Sequence, residues 1–411
     1  MKRFIKLMIA ALFFAGTAVQ AQDGVRKIVF FRDGIRAANR AQVVKDIGGE
    51  ITYDLHLINA AAVVIPADSA LRLQTDIKTK KGGVVVGMED DRVVNWISGV
   101  TLEELAGSAD MGRLVTKTRK IAVDVPKAKE AFSGAPAKAG KAQIPWGIAR
   151  VKADRVWTAN TGAGVTVAVI DTGIDLDHPD LADNIAGSFN AIDSSISADD
   201  DQGHGTHVAG TIAGSLKSAS ATGVAPNARL YAVKVLGADG SGSYSTVANG
   251  IQWAVANRMQ VINMSLGSSQ NSEAIEKLVA AAYAAGVTVV CAAGNDGGSV
   301  GYPAANKGAI AIAASDNKDK IAYFSNRGDL IQFITPGVNI YSTYRGGGYK
   351  TMSGTSMASP HAAGLAALAV AAGAKTPDEV VAMLKAASVS LNLKPTEQGN
   401  GLIEADRLPL N

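Results

Sequence analysis

The chain has 411 residues, 47% of them apolar and 19% charged, with 44 glycines, a single cysteine and a net charge of +3. This composition excludes a largely disordered chain, an intramolecular disulfide and a cysteine-rich zinc site, and the charge is too small to argue for a nucleic-acid partner. The glycine excess follows no G-x-y period, so it marks tight turns and close backbone approaches. Charge is divided unevenly: residues 142–411 hold 18 Lys and Arg against 22 Asp and Glu, and the remainder carries the positive excess. A basic N-terminal part and a mildly acidic body are suited to dock on each other.

Lys2, Arg3 and Lys6 precede a short apolar run from Leu7 to Ala15, and Val19-Gln20-Ala21 supplies small residues where a signal peptidase reads. The run is too short to span a bilayer, so residues 1–21 read as a secretory signal, cleaved after Ala21, with no membrane attachment afterwards. Residues 22–98 read as a small α+β unit. Strands are expected at Arg26–Phe31, Ile51–Leu55, Ala60–Ile65 and Val84–Met88, and helices at Ala37–Ile47 and Ala67–Thr75, in β-α-β-β-α-β order. From 99 to 141 the pattern weakens into an Ala/Lys/Gly/Pro-rich linker suited to proteolytic cutting, placed between about Asp124 and Ala142.

From 142 to 411 strands alternate with helices. Gly164–Ile170, Ala228–Leu236, Val261–Ser265 and Val287–Ala293 are β-branched buried strands; Thr206–Leu216, Ser245–Asn257 and Ser272–Ala285 are helical. Regular alternation implies a parallel sheet covered on both faces, with chemistry at the carboxyl ends of its strands. Asp171 sits at one such end. His204 lies between two glycines at a helix start, and His207, one turn on, reads as a packed histidine. A metal pair of the two lacks the Glu that such a site needs. Ser356, in Ser353-Gly-Thr-Ser-Met-Ala-Ser-Pro-His361, is expected at a helix N-terminus, with Pro360 in the first turn. A hydroxyl nucleophile, an imidazole and a carboxylate are the three groups that acyl transfer needs. The Gly297-Gly-Ser-Val-Gly301 stretch also fits a G-x-S-x-G pattern, but Tyr302-Pro303 follows where that motif requires a helix.

Those three segments, Val-Ile-Asp171-Thr-Gly-Ile-Asp, His204-Gly-Thr-His-Val-Ala-Gly and Gly354-Thr-Ser356-Met-Ala-Ser-Pro, resemble the signatures of the subtilisin-like serine proteases (subtilases, peptidase family S8). The resemblance implies an α/β fold: a subtilisin-like three-layer domain with a mostly parallel sheet over 142–411, preceded by a small α+β ferredoxin-like propeptide domain. It implies nucleophile Ser356, general base His204 and orienting Asp171, with Asn295 of Ala292-Ala-Gly-Asn295 donating to the oxyanion. Ser265, Leu266 and Gly267 resemble the strand that pairs with substrate, and Gly240, Ser241, Gly242 and Tyr244 the facing edge with the S4 pocket. Ala292, Ala293, Gly294 and Gly301 wall the S1 pocket, so no charge is expected there to select a basic residue. The expected activity is broad endopeptidase cleavage favouring large apolar P1.

The N-terminal unit resembles the family's inhibitory propeptide (inhibitor I9-like), which acts as chaperone and inhibitor within the chain. Gln143 and Asp180 match two ligands of the family's structural calcium site, but Lys217 stands where an oxygen donor is usual, and a cation there opposes Ca²⁺. Calcium is thus an open structural expectation and the chemistry requires no cofactor. The reading is a secreted, monomeric protease made as a zymogen, acting on proteins and peptides, periplasmic or extracellular. A catalytically silent binding protein of the same fold, and an esterase built on Ser299, are the alternatives.

Overall fold

The computed structural model describes residues 24–79, 83–97, 144–217 and 221–409. The expected signal (1–21), the linker with its cut site (99–141) and Gln143 lie outside the described residues.

The N-terminal unit follows the expected order: β1 (Gly24–Phe31), α1 (Ala37–Asp46), β2 (Glu50–Leu55), β3 (Ala60–Pro66), α2 (Ala67–Thr79) and β4 (Val85–Asp90), with a short β5 (Val93–Asn95) after it. Its four strands pair antiparallel in the order β2-β3-β1-β4. Alternation along β1 sorts the side chains: Val29 and Phe31 pack with Val44, Ala70 and Leu73 of the two helices, while Ile28 and Phe30 face the other way. Both faces of this sheet are apolar, so the unit needs a second partner surface, which the rest of the chain provides.

The second unit contains α3 (Trp146–Arg150), β6 (Thr166–Asp171), β7 (Ile185–Asn190), α4 (His204–Ala213), β8 (Arg229–Lys234), β9 (Ser241–Ser243), α5 (Tyr244–Ala256), β10 (Val261–Met264), α6 (Glu273–Ala284) and β11 (Thr288–Ala292). It continues with β12 (Ala309–Ser315), β13 (Ile331–Pro336), β14 (Ile340–Tyr344), β15 (Gly348–Met352), α7 (Thr355–Ala371), α8 (Pro377–Ala386), β16 (Ser388–Val389) and β17 (Leu402–Ile403). Nine strands form one sheet in the order β16-β17-β13-β12-β11-β10-β6-β8-β7. Every pairing in it is parallel except β16 with β17. On β6, Val167 and Val169 pack with α4 and α7, and Ala168 and Ile170 with α5 and α6. The result is an α/β three-layer unit with a mostly parallel central sheet. From the β6–β10 neighbours the chain steps outward through β11, β12 and β13 on one side and to β8 and β7 on the other, and the carboxyl ends at that reversal flank a natural crevice.

The two units dock through α5 and α6. Ile28, Phe30, Leu55, Ala60 and Ala62 share one buried cluster with Val247, Ile251, Ile275 and Leu278. Two carboxylates of the N-terminal unit meet the two helix starts. Asp91, paired with Arg26 at 2.6 Å, accepts from Ser245 N (2.9 Å) and Oγ (2.8 Å). Glu89 accepts from Ser272 Oγ (2.9 Å), Glu273 N (2.8 Å) and Ala274 N (3.0 Å). Each supplies acceptors to N–H groups that a helix end leaves unpaired, and places negative charge at the positive end of the dipole.

Candidate active site

Asp171 ends β6, where it is fully buried; its Oδ1 accepts from the Thr172 N–H (2.8 Å) and from His204 Nδ1–H (2.8 Å). His204 opens α4, two residues ahead of the expected start. Gly203 caps that helix at φ +110°, and a Cβ there would overlap the Tyr344 ring, so the sharp entry requires glycine. Gly214 ends the helix at Ala213, before the expected Leu216. With Nδ1–H committed to Asp171, the neutral ring holds its lone pair on Nε2, which is buried and has no partner. Burial works against the imidazolium, but the charge and hydrogen bond of Asp171 outweigh it, with a further contribution from Asp200, and His204 is raised above its ordinary range.

Ser356 lies in the first turn of α7. Pro360, expected in that turn, instead sits in the second; having no N–H, it cannot bond the carbonyl four residues back. That carbonyl belongs to Ser356, and it accepts from Ser265 Oγ at 2.8 Å. The Ser356 hydroxyl in turn donates to the Ser265 carbonyl oxygen at 3.0 Å. The proline thus frees the bond that staples the helix start to the segment after β10, and the resting hydroxyl points along that segment rather than at His204.

Asn295 follows β11. Its Oδ1 accepts from Thr355 N and Oγ1, both at 2.8 Å, which fixes the amide with its NH₂ end as the donor side. The Ser356 N–H is one of the unpaired first-turn donors of α7. Two donors on one side of the nucleophile form the arrangement that binds an oxyanion. Asn295→Leu is expected to lower kcat about 10²–10³-fold with KM nearly unchanged, measured on a peptide anilide. Equal losses in binding would remove Asn295 from that role.

A cleft of about 1030 Å³ leads from Ser356 and Asn295 past Ala292, Gly294 and Gly301 to Leu266 and Gly267. Ala293 is buried beneath it. Asp296 also lines this cleft, as an exposed residue whose own N–H donates to Asn326 Oδ1. The sequence signal was present, since Asp296 directly follows the oxyanion segment. Ser299, the alternative nucleophile, is in a loop where no helix follows.

The edges expected to bind substrate are occupied by the chain itself. β5 pairs antiparallel with β9, Val94 opposite Gly242 and Asn95 opposite Ser241. Trp96 N–H donates to the Gly240 carbonyl (3.1 Å), and its own carbonyl accepts from Gly267 N (3.1 Å). Its indole N–H reaches the Gly242 carbonyl (2.9 Å), and its ring meets Tyr244 edge-on at 5.7 Å. Residues 93–96 are therefore an added strand between Ser241–Ser243 and the segment Ser265–Gly267. Trp96 was not singled out in the sequence.

The other expected features lie away from this cleft. His207 is buried, its Nε2–H directed at the Ile340 and Lys350 carbonyls (3.0 Å each). Cys291 is a buried residue of β11 whose thiol burial pushes up, away from thiolate chemistry. Asp180 Oδ2 accepts from Tyr349 Oη at 2.7 Å, and Lys217 pairs with Asp183 at 2.9 Å. Among the described residues no three His, Cys, Asp or Glu groups converge. The acidic run Asp199–Asp201 contains a buried member, Asp200.

Residues 162–401 match the model of the Subtilase family. The chain is 52% identical over 227 residues to "Alkaline protease" of Alkalihalobacillus alcalophilus, covering 55% of this chain and 59% of that protein. It is 51% identical over 227 residues to "Subtilisin Savinase" of Lederbergia lenta, 55% of this chain and 83% of that one. Similarity to "Subtilisin J" of Geobacillus stearothermophilus is 36% over 379 residues, 89% of this chain and 86% of the relative, and so extends over both units.

Proposed function

Because the chain belongs to the subtilase family, we propose that it is a serine endopeptidase synthesised with its own inhibitor attached. The observation that carries this reading is the buried Asp171–His204 pair at the start of α4, which packs on α7, together with a cleft lined by Ser356 and Asn295 whose edges already hold an extended peptide. Peptide substrate would lie where residues 93–96 lie, taking main-chain hydrogen bonds from the same two edges. A substrate N–H at the Ser265 carbonyl would release the Ser356 hydroxyl, which turns to His204 Nε2.

Attack by Oγ on the scissile carbonyl then passes the proton to Nε2, and the oxyanion forms between the Asn295 amide and the Ser356 N–H. Asp171 stabilises the imidazolium, which gives its proton to the leaving amine; water repeats the cycle on the acyl-enzyme. The chemistry uses only side-chain and backbone groups of the chain. Casein hydrolysis by the processed protein, with a fluorophosphonate probe labelling Ser356, tests the proposal. A folded, processed protein that neither cleaves nor labels would leave a binding protein of the same fold as the better reading.

For specificity, Gly301 and the small Ala292–Gly294 wall favour large apolar P1 residues, and the Asp296 carboxylate disfavours acidic ones. A peptide-library profile led by Asp or Glu at P1 would overturn this.

Residues 22–98 are the proposed inhibitory propeptide, 99–141 the linker that is cut, and 142–411 the catalytic domain, exported by the signal at 1–21. N-terminal sequencing of the mature protein locates the cut that releases the catalytic domain. Trp96 is the side chain most deeply seated in the groove, 2% exposed and hydrogen-bonded through its indole. Trp96→Ala is expected to weaken inhibition by the added-back N-terminal unit about 30-fold, the scale of an interface hot spot. An unchanged inhibition constant would place the anchor elsewhere.

A further inference from the structure

Asp200 is 5% exposed and lies four residues before His204. Its Oδ1 accepts from the N–H groups of Gln202 (3.0 Å) and Gly203 (2.8 Å), its Oδ2 from the N–H (2.9 Å) and Oγ1–H (2.6 Å) of Thr206. Four donors on two oxygens leave no acceptor for a carboxyl proton, so the group is a carboxylate. None of the four donors is charged, and among the described residues Asp200 makes no ion pair. A buried anion held only by neutral dipoles is costly unless something nearby benefits from its charge. The neighbouring group that becomes cationic is His204, in the reaction proposed above.

We propose that Asp200 is a positioning residue for His204, its carboxylate fixing the first turn of α4 and supplying the second negative charge that the imidazolium meets during turnover. This inference rests on the serine endopeptidase reading and names a part of its machinery. Other charges also face the imidazole. Asp171 on β6 binds it directly. Lys234 on β8 is buried; its Nζ donates to the Thr172 and Leu236 carbonyls (2.7 and 2.9 Å) and to Asp201 (2.6 Å), so its positive charge is partly matched. Asp175, after β6, donates its N–H to Thr206 Oγ1 and faces the same turn. His207 lies one turn further along α4, and His361 on α7 beyond it; both are neutral, as argued in the Discussion. Asp175 is likewise buried and makes no ion pair among the described residues, but its carboxylate accepts from Gly347 N (2.9 Å); Asp200 is the one whose carboxylate holds the first turn of α4 itself. The influence of its charge on His204 agrees with this, acting in the same direction as Asp171.

The test is the titration midpoint of His204, read by NMR in the full-length Ser356→Ala chain, where neither activity nor processing is required. The signal is assigned by its loss on His204→Ala. Asp200→Asn, or Asp200→Ser if the first does not fold, should lower the midpoint by about one pH unit. In the processed active enzyme the acid limb of kcat/KM should move by the same amount, with kcat reduced and KM held. Asp200→Glu, which keeps the charge, should return the midpoint to the parent value. An unchanged midpoint in both neutral variants, with Tm lowered, would make Asp200 a helix cap and nothing more; a midpoint that stays low in Asp200→Glu would equally overturn the charge assignment. Fluorophosphonate labelling of the parent enzyme separates this from failure of the endopeptidase reading: a labelled parent with an unmoved midpoint overturns only the role of Asp200.

Discussion

Ser356→Ala is expected to lower kcat/KM on a peptide substrate by about 10⁶-fold while the chain stays folded. The geometry explains why the loss is so large and so clean. The hydroxyl makes one hydrogen bond, to the Ser265 carbonyl, and packs at the mouth of a solvent-filled cleft, so its removal opens no core cavity. What disappears is the only atom that can form the acyl bond. His204→Ala should cost about the same, because Nε2 is the one base available to that hydroxyl, and the double variant should be no worse than either single one. Asp171→Asn should cost about 10⁴-fold, since an amide at that position would favour the tautomer that protonates Nε2. Steady-state kinetics on the four variants checks the set. Losses that multiply in the double variant would mean the two residues do not act as a unit.

Much of the fold could be read from residue patterns, because strand and helix periods were undisturbed. Gly164–Ile170 and Ser245–Asn257 were displaced by only one or two residues from β6 and α5. Boundaries failed where a backbone feature, not a pattern, decides them: the α4 start rests on the left-handed Gly203, and Pro360 sits a turn deeper than expected. The triad residues were legible because each stands in a long motif. Asp200 and Trp96 were not, and for one shared reason. Their roles come from partners distant in sequence or from burial. An Asp in an acidic run looks solvated until a helix end turns four donors onto it. Trp96 looks like a surplus aromatic residue until a strand from 146 residues away offers Gly242 as its acceptor.

The second large effect is acid lability. His207 and His361 are fully buried, and each has one ring nitrogen donating to main-chain carbonyls and the other facing no partner. The free nitrogen of His361 is directed at Gly147, where even a Cβ would not fit. Protonation would therefore add a buried charge and an unsatisfied N–H. Burial, with like charge from His204, pushes His207 down to about 3, and burial pushes His361 down to about 4. In the unfolded chain both return to about 6.5.

The unfolded state thus binds more protons than the folded state at every pH between those values. Stability is fully present above 6.5 and is lost as pH falls through the window down to about 4 for His361 and about 3 for His207. At about 1.4 kcal/mol per unit for each group, the pair should cost about 4 kcal/mol by pH 5. His204 works in the opposite sense. Its folded value is raised, so its contribution is present below 6.5 and lost as pH rises through the folded value; it is constant below 6.5, so the slope there belongs to the two neutral rings. Urea unfolding of the full-length Ser356→Ala chain between pH 8 and 4.5 should show this slope, and His361→Met should halve it. A flat profile down to pH 5 would mean that one or both rings find an acceptor when protonated.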